Sequence, residues 1–103
     1  QITATVAWLD QRPVNIRDTY WALHGHRRTK AKVIAIDHQI DIQTLATIET
    51  NRLQVNDIGV LQLKFQSPLP VRPYDQHRGL GSLILVDPST HATAGAVMTK
   101  TVS

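Results

Sequence analysis

Apolar and polar residues alternate over short stretches of this chain, which is the pattern of β-strands with one buried face. The first stretch, residues 3–10, is rich in Thr and Val and ends at an Asp-Gln-Arg-Pro sequence typical of a turn. Residues 18–24 and 28–37 repeat the pattern. Gly25 lies between these two stretches, so we predict that they form a hairpin through residues 25–27.

The second half of the chain predicts three more strands. Residues 57–65 form one, and the proline-rich stretch 67–73 then excludes regular ladder hydrogen bonding and predicts a crossing over the surface. Residues 81–87 and 92–99 flank a Pro-Ser-Thr-His sequence and predict a closing hairpin. Residues 38–56 have neither a period of two nor a helical period, so we expect a strand-and-loop connection there. About six short strands without helical periodicity indicate an all-β antiparallel barrel or sandwich.

Two of these strands are apolar at every position, namely residues 33–36 and 83–86. A strand with one solvated face alternates in polarity, so both faces of these strands are expected to be covered. A chain of this size has one interior, and the outer apolar side chains therefore need another domain or another chain. The alternative is that residues 38–56 cover them.

Composition indicates one globular unit over residues 1–103. Hydrophobic residues make up 42% of the chain and charged residues 18%, and cysteine is absent. These values exclude a disordered tail, a disulfide framework and thiol chemistry. No apolar run approaches the roughly 20 residues that span a bilayer, so we expect no membrane partner. The absence of cysteine is compatible with a reducing cytosol, and we expect a cytoplasmic protein. The chain begins at Gln1, which indicates a processed product or a piece of a longer protein.

The net charge is +3, and residues 27–32 hold four of the eleven Lys and Arg residues. A basic stretch can bind nucleic acid, anionic lipid or an acidic protein surface. No aromatic residue is interleaved with these charges, so nucleic acid is not the expected partner. The simplest interpretation is a solvated strand face.

The sequence Gly-Leu-Gly-Ser at residues 79–82 resembles a phosphate-binding loop in composition but not in order. Phosphate loops follow a strand and open a helix, whereas this stretch precedes a strand. It also has neither the Gly-Lys-Ser/Thr ending nor the Gly-x-Gly-x-x-Gly spacing of such loops. We expect these glycines to serve a tight turn or a close backbone approach.

Other chemistry-bearing residues do not form a recognisable site. His24 and His26 could share one face of a strand, but Gly25 indicates a turn and no third metal ligand has a motif spacing. The aspartates are dispersed near strand ends, where carboxylates cap turns. The sequence therefore predicts no catalytic residue, no metal site and no cofactor in this domain.

Three polar residues precede the penultimate strand, namely Tyr74, Asp75 and Arg78. They fit an Asp–Arg pair and a Tyr hydroxyl that fasten the proline-rich crossing to the barrel, or else a contact with a partner. Together with Arg27 and Arg28, these are the candidate interdomain or partner contacts.

Residues 55–98 resemble the carboxy-terminal barrel of CysN, the large GTP-hydrolysing subunit of bacterial sulfate adenylyltransferase. The resemblance includes the order of the Asn-Asp-Ile-Gly stretch, the Pro-Tyr-Asp stretch and the Arg-x-x-Gly-Ser strand with its Asp-Pro-x-Thr turn. The stretches 4–10, 23–33 and 40–45 have counterparts in the same order. His77 and Leu83 depart from the family pattern, which has Asn and Phe there.

This resemblance implies the third domain of an elongation-factor-Tu-like GTPase, a closed antiparallel six-stranded β-barrel of Greek-key type. It implies a non-catalytic barrel that docks the GTPase domain, the second barrel or the small ATP-sulfurylase subunit. In the parent, ATP and sulfate yield adenylyl sulfate and pyrophosphate while GTP is hydrolysed, and an adenylyl-sulfate kinase domain follows in some relatives. GTP, ATP and Mg are thus expected only in other parts of the parent complex.

Two other functions compete with this one. The barrel could belong to a translational GTPase and contact RNA or ribosomal partners through residues 27–32, in which case RNA binding should depend steeply on salt. It could also be a free-standing barrel for a small ligand, which requires an open interior. The abundant Val, Ile and Leu favour a filled interior.

Overall fold

The structure, a computed structural model, describes residues 1–67, 69–76 and 81–102. Within these ranges the chain forms nine β-strands. In chain order they are β1 (Ile2–Trp8), β2 (Val14–Asn15), β3 (Thr19–His24), β4 (Arg27–Ile40), β5 (Thr47–Ile48), β6 (Arg52–Leu53), β7 (Ile58–Phe65), β8 (Ser82–Val86) and β9 (Thr93–Val102). In the described ranges, no helix has the length and apolar character required to cross a membrane.

Six of these strands close into an antiparallel ring. Their order is β3-β8-β9-β1-β7-β4, and β4 pairs with β3 to close it. Trp21 pairs with Lys30 on one side of β3 and with Val86 on the other. The predicted closed six-stranded antiparallel β-barrel is confirmed. The short strand β5 extends β4, and β2 and β6 form a separate pair.

The predicted strands agree with the structure except at the end of β9, which continues through Val102 beyond the predicted end at residue 99, and at β4. This strand continues through Ile40, beyond the predicted end at residue 37. Its pairing with β7 shifts register twice, between Val33 and Ala35 and between Ile36 and His38. These bulges break the period of two, so Val33 and Ile36 both point into the barrel. The apolar run 33–36 therefore reflects a bulge as well as covered faces.

Inward-facing apolar side chains fill the barrel. Ile2, Ala4 and Val6 on β1 are at most 1% exposed, and leucines of β7 and β8 pack against them. At one end of the barrel, Trp8 is fully buried and makes an edge-to-face contact with Tyr20, with ring centroids 5.3 Å apart. The Trp8 indole N–H donates to the Arg12 carbonyl at 2.9 Å, which satisfies its single polar atom.

Two turns of the barrel share one design, in the sequences Asp-Ile-Gln-Thr-Leu-Ala (41–46) and Asp-Pro-Ser-Thr-His-Ala (87–92). In each, the Asp carboxylate accepts backbone N–H groups two and three residues later, and the Thr hydroxyl accepts the N–H of the closing Ala. The residue before the Ala has positive φ, which is 62° for both Leu45 and His91. The first turn joins β4 to β5, and the second is the predicted closing hairpin between β8 and β9.

Candidate interaction surfaces

Arg27 and Arg28 begin β4 and are exposed. They follow a two-residue turn in which Gly25 has a φ of 61°, and His24 pairs with Arg27 across the predicted hairpin. The guanidinium carbon of Arg28 lies 4.8 Å from the centre of the Trp21 ring, and Lys30 Nζ lies 4.5 Å from it. The ring thus holds both cations on the outer side of the barrel by cation–π attraction.

Tyr74 and Asp75 lie in the crossing segment that leads from β7 to β8. The backbone N–H of Tyr74 donates to the carbonyl of Thr99 at 2.8 Å, which ties the crossing to β9. Farther back in the segment, Val71 is buried in the core and Leu69 packs against it. The crossing thus covers one end of the barrel. Asp75 is exposed.

Gly81 is a place where a close backbone approach requires glycine. A Cβ at this position would collide with the backbone of Tyr74, whose N atom would be 2.7 Å away, and would lie 2.9 Å from the Arg72 carbonyl. This agrees with the close approach expected for the glycine-rich stretch. Arg78 and the rest of residues 77–80 lie outside the described residues.

The sequence-derived contacts do not converge on one site. Arg27 and Arg28 belong to β4, whereas Tyr74 is bound to β9, and these two strands are three positions apart around the six-stranded ring. The two arginines therefore lie on the opposite side of the barrel from Tyr74. Tyr74 and Asp75 line a separate cleft of about 310 Å³ with Met98 and Lys100.

Several polar residues have structural roles. His24 is buried with 6% exposure and His26 lies exposed in the turn. Among the described residues, no three His, Cys, Asp or Glu side chains are grouped closely enough to hold a metal ion. The N–H groups of Ser89 and Thr90 lower the pKa of Asp87, as expected for a carboxylate that caps a turn.

The outer face of the barrel carries a row of apolar side chains that the sequence analysis did not predict. Cross-strand pairing places them in register on neighbouring strands, and we call this set the outer apolar row: Leu23, Ile84, Ala96, Ala7, Ile58 and Ile40. The row begins beside Arg28 and returns to β4 at Ile40, because strands in a closed barrel are staggered. The sequence signal for it was the fully apolar run 83–86.

The outer apolar row is partly open to solvent. Ile84 is 37% exposed, and Met98, which pairs with Ser82 beside the row, is 44% exposed. At its far end, Ile40 and Ile58 line a cleft of about 310 Å³ together with Ile48. The segment 38–56 therefore does not cover Ile84, which was the alternative to an external partner.

The chain is similar to known proteins over almost its whole length. Residues 1–100 match the family described as GTP-eEF1A C-terminal domain-like. The chain is 38% identical over 96 residues to the "Bifunctional enzyme CysN/CysC" of Xylella fastidiosa, covering 93% of this chain and 15% of that protein. It is 34% identical over 98 residues to "Sulfate adenylyltransferase subunit 1" of Alteromonas mediterranea, covering 95% of this chain and 21% of that protein.

Solved structures agree with the barrel. The structure of sup35 complexed with GDP superposes with a TM-score of 0.86 at 13% identity, covering 99% of this chain and 25% of that chain. The structure of sup35 complexed with GMPPNP gives 0.80 at 14% identity, covering 98% and 25%. The chain thus spans about a quarter or less of the length of the proteins it matches, and the structural likeness concerns the fold alone.

Proposed function

Because the chain belongs to the GTP-eEF1A C-terminal domain-like family, and its relatives are sulfate adenylyltransferase large subunits, we propose that it is the docking barrel of such a subunit. In this role it is the third domain of a longer GTPase chain and carries no catalytic residue. It binds the GTPase domain and second barrel of that chain or the small ATP-sulfurylase subunit.

The observation that carries this proposal is the outer apolar row. A closed barrel buries its inward-facing side chains by itself, whereas the apolar residues in register on its outer face stay partly in water. Ile84 and Met98 are large, exposed and close together on adjacent strands. Removing such a surface from water is the main favourable term in forming an interface between protein domains.

The proposed role assigns nucleotide chemistry to other parts of the parent. GTP binding and hydrolysis belong to the GTPase domain, and formation of adenylyl sulfate from ATP and sulfate belongs to the small subunit. The barrel then links the two, and it works in the cytoplasm. GTP, ATP and Mg are accordingly not ligands of this chain in the proposal.

The test is a pull-down with the purified chain as bait. The prey proteins are the small subunit and the remainder of the large subunit, each offered separately. The variant Ile84→Lys, M98K places two charges in and beside the outer apolar row, and the matched control is Thr101→Lys, S89K, which adds the same charge at exposed positions elsewhere.

We expect the unmodified chain and the control to retain at least one prey. The amount of that prey retained by the Ile84→Lys, M98K variant should be at least tenfold lower. The isolated chain should bind no GTP in equilibrium dialysis. Failure of the unmodified chain to retain either prey contradicts the proposal, and so does equal loss in the control.

A further inference from the structure

The outer side of β4 and β7 carries a concentrated positive charge. Arg28, Lys30 and Lys32 alternate along β4, and Lys64 lies on β7 directly opposite Lys32. Arg17, held by a backbone hydrogen bond from its N–H to the Val33 carbonyl at 2.8 Å, joins them at the edge. We call these five residues the basic band; the chain has eleven Lys and Arg residues in total.

The basic band surrounds two open clefts that meet at Lys32 and Lys64. One, of about 500 Å³, is lined by Arg17, Lys32, Lys64 and Ile34. The other, of about 300 Å³, is lined by Lys30, Lys32, Lys64 and Phe65. Lys32 and Lys64 are both exposed, so a ligand in either cleft would reach their ammonium groups.

The cations of the band have no paired carboxylate in the described part of the chain, and Asp37 farther along β4 accepts a hydrogen bond from the Gln62 side chain at 3.1 Å. Like charges directly opposite each other on neighbouring strands destabilise a sheet, and Lys32 and Lys64 form such a pair. In residues 1–67, 69–76 and 81–102 no carboxylate forms an ion pair with a residue of the band. Arg28 and Lys30 are partly compensated by the Trp21 ring, whereas Arg17, Lys32 and Lys64 are not.

We infer that the basic band binds a carboxylate-rich segment of a partner protein. Three of its five cations are lysines, whose compact ammonium groups pair with single carboxylates as point charges. A nucleic acid fits less well, because single strands need an aromatic face on which bases stack. The Trp21 ring is engaged by two cations, and Phe65, although it lines the smaller cleft, is partly buried against the core.

This inference goes beyond the proposed docking role and does not depend on it. It uses different residues, since the large exposed side chains in and beside the outer apolar row, Ile84 and Met98, lie on β8 and β9, whereas the basic band lies on β4 and β7 with Arg17 beside them. The two surfaces adjoin where Leu23 of the row pairs with Arg28 of the band. It also names the chemistry of the partner segment without fixing which protein supplies it. A probe peptide therefore tests it separately from the small subunit and the GTPase domain.

The experiment measures fluorescence anisotropy of a labelled ten-residue polyglutamate peptide titrated with the folded chain. A ten-nucleotide oligouridylate serves as the nucleic-acid probe. The variant Lys32→Gln, K64Q removes the opposed pair, and the matched control Arg52→Gln, K100Q removes the same charge at exposed positions on β6 and β9. Ionic strength is varied from about 0.02 to about 0.2 M, which spans weak to strong screening.

We expect polyglutamate binding that weakens with salt. Its affinity should fall about fivefold to tenfold in Lys32→Gln, K64Q, because surface ion pairs contribute modestly. In the control the affinity should change less than about twofold. Thermal unfolding of each variant verifies the fold, and relief of the like-charge pair should leave the midpoint equal or higher. No polyglutamate binding at the lowest ionic strength overturns the inference, and so does equal loss in the control. Tighter oligouridylate binding that depends on the same two lysines overturns it in favour of a nucleic-acid surface.

Discussion

Leu45, in the turn at residues 41–46, combines a left-handed backbone with an exposed apolar side chain. A substitution at this position can therefore be predicted to raise the stability of the fold. Leu45 has a φ of 62° and is 76% exposed. The left-handed conformation costs a residue with a side chain about 1–2 kcal/mol, and glycine avoids this cost but loses about 0.5–1 kcal/mol of backbone entropy. Because the Leu45 side chain is mostly in water, its removal forfeits little burial. Leu45→Gly should therefore stabilise the fold by about 0.5–1 kcal/mol.

A neighbouring residue provides the control. Ile42 is on the same turn and 66% exposed, but it is not among the residues with positive φ. Ile42→Gly should therefore destabilise by about 0.5–1 kcal/mol, the ordinary cost of glycine. Urea unfolding of both variants, compared at equal m-values, measures the difference, and thermal midpoints should move in opposite directions by about 2–8 °C. If Leu45→Gly lowers stability as Ile42→Gly does, the assigned backbone strain is wrong.

Three further predictions concern the core and the turns. Gly81→Ala should destabilise by about 1–3 kcal/mol, since its Cβ would meet the Tyr74 backbone; an unchanged urea midpoint would refute the close approach. Burial, followed by the nearby Asp18 carboxylate, raises the pKa of the Tyr20 hydroxyl, so stability should fall as pH rises above about 10. Tyr20→Phe should show a shallower decline in alkaline unfolding scans. Asp87 has a lowered pKa, so its contribution to the free energy of unfolding should be present above about pH 4 and be lost as pH falls below that. Asp87→Asn should not show this loss in acid unfolding scans.

Most of the barrel could be predicted because its strands follow local rules. Alternation and turn residues located β1, β3, β7, β8 and β9 to within a few residues. The β4 end was wrong because two bulges interrupt the period on which such predictions depend. The short strand β2 was missed, and β5 and β6 were predicted only as part of the undivided strand-and-loop connection over 38–56, because two-residue strands carry no periodic signal and are defined by their pairing partners.

The candidate surfaces show the same division between local and long-range information. The apolar run 83–86 correctly indicated apolar side chains outside the barrel, but the row they form depends on cross-strand register. Likewise, residues 27–32 gave only part of the basic band. Lys64 joins it through the β4–β7 ladder and Arg17 through a hydrogen bond to Val33, and neither contact is visible in a linear sequence.

The docking role is tested most directly by hydrogen–deuterium exchange of the chain alone and with the remainder of a sulfate adenylyltransferase complex. Backbone amides of β8 and β9 around Ile84 and Met98 should become protected on binding, while those of the 87–92 turn should change little. The Ile84→Lys, M98K variant should lose this protection. Protection confined to other strands, with β8 and β9 unchanged, would contradict docking through the outer apolar row.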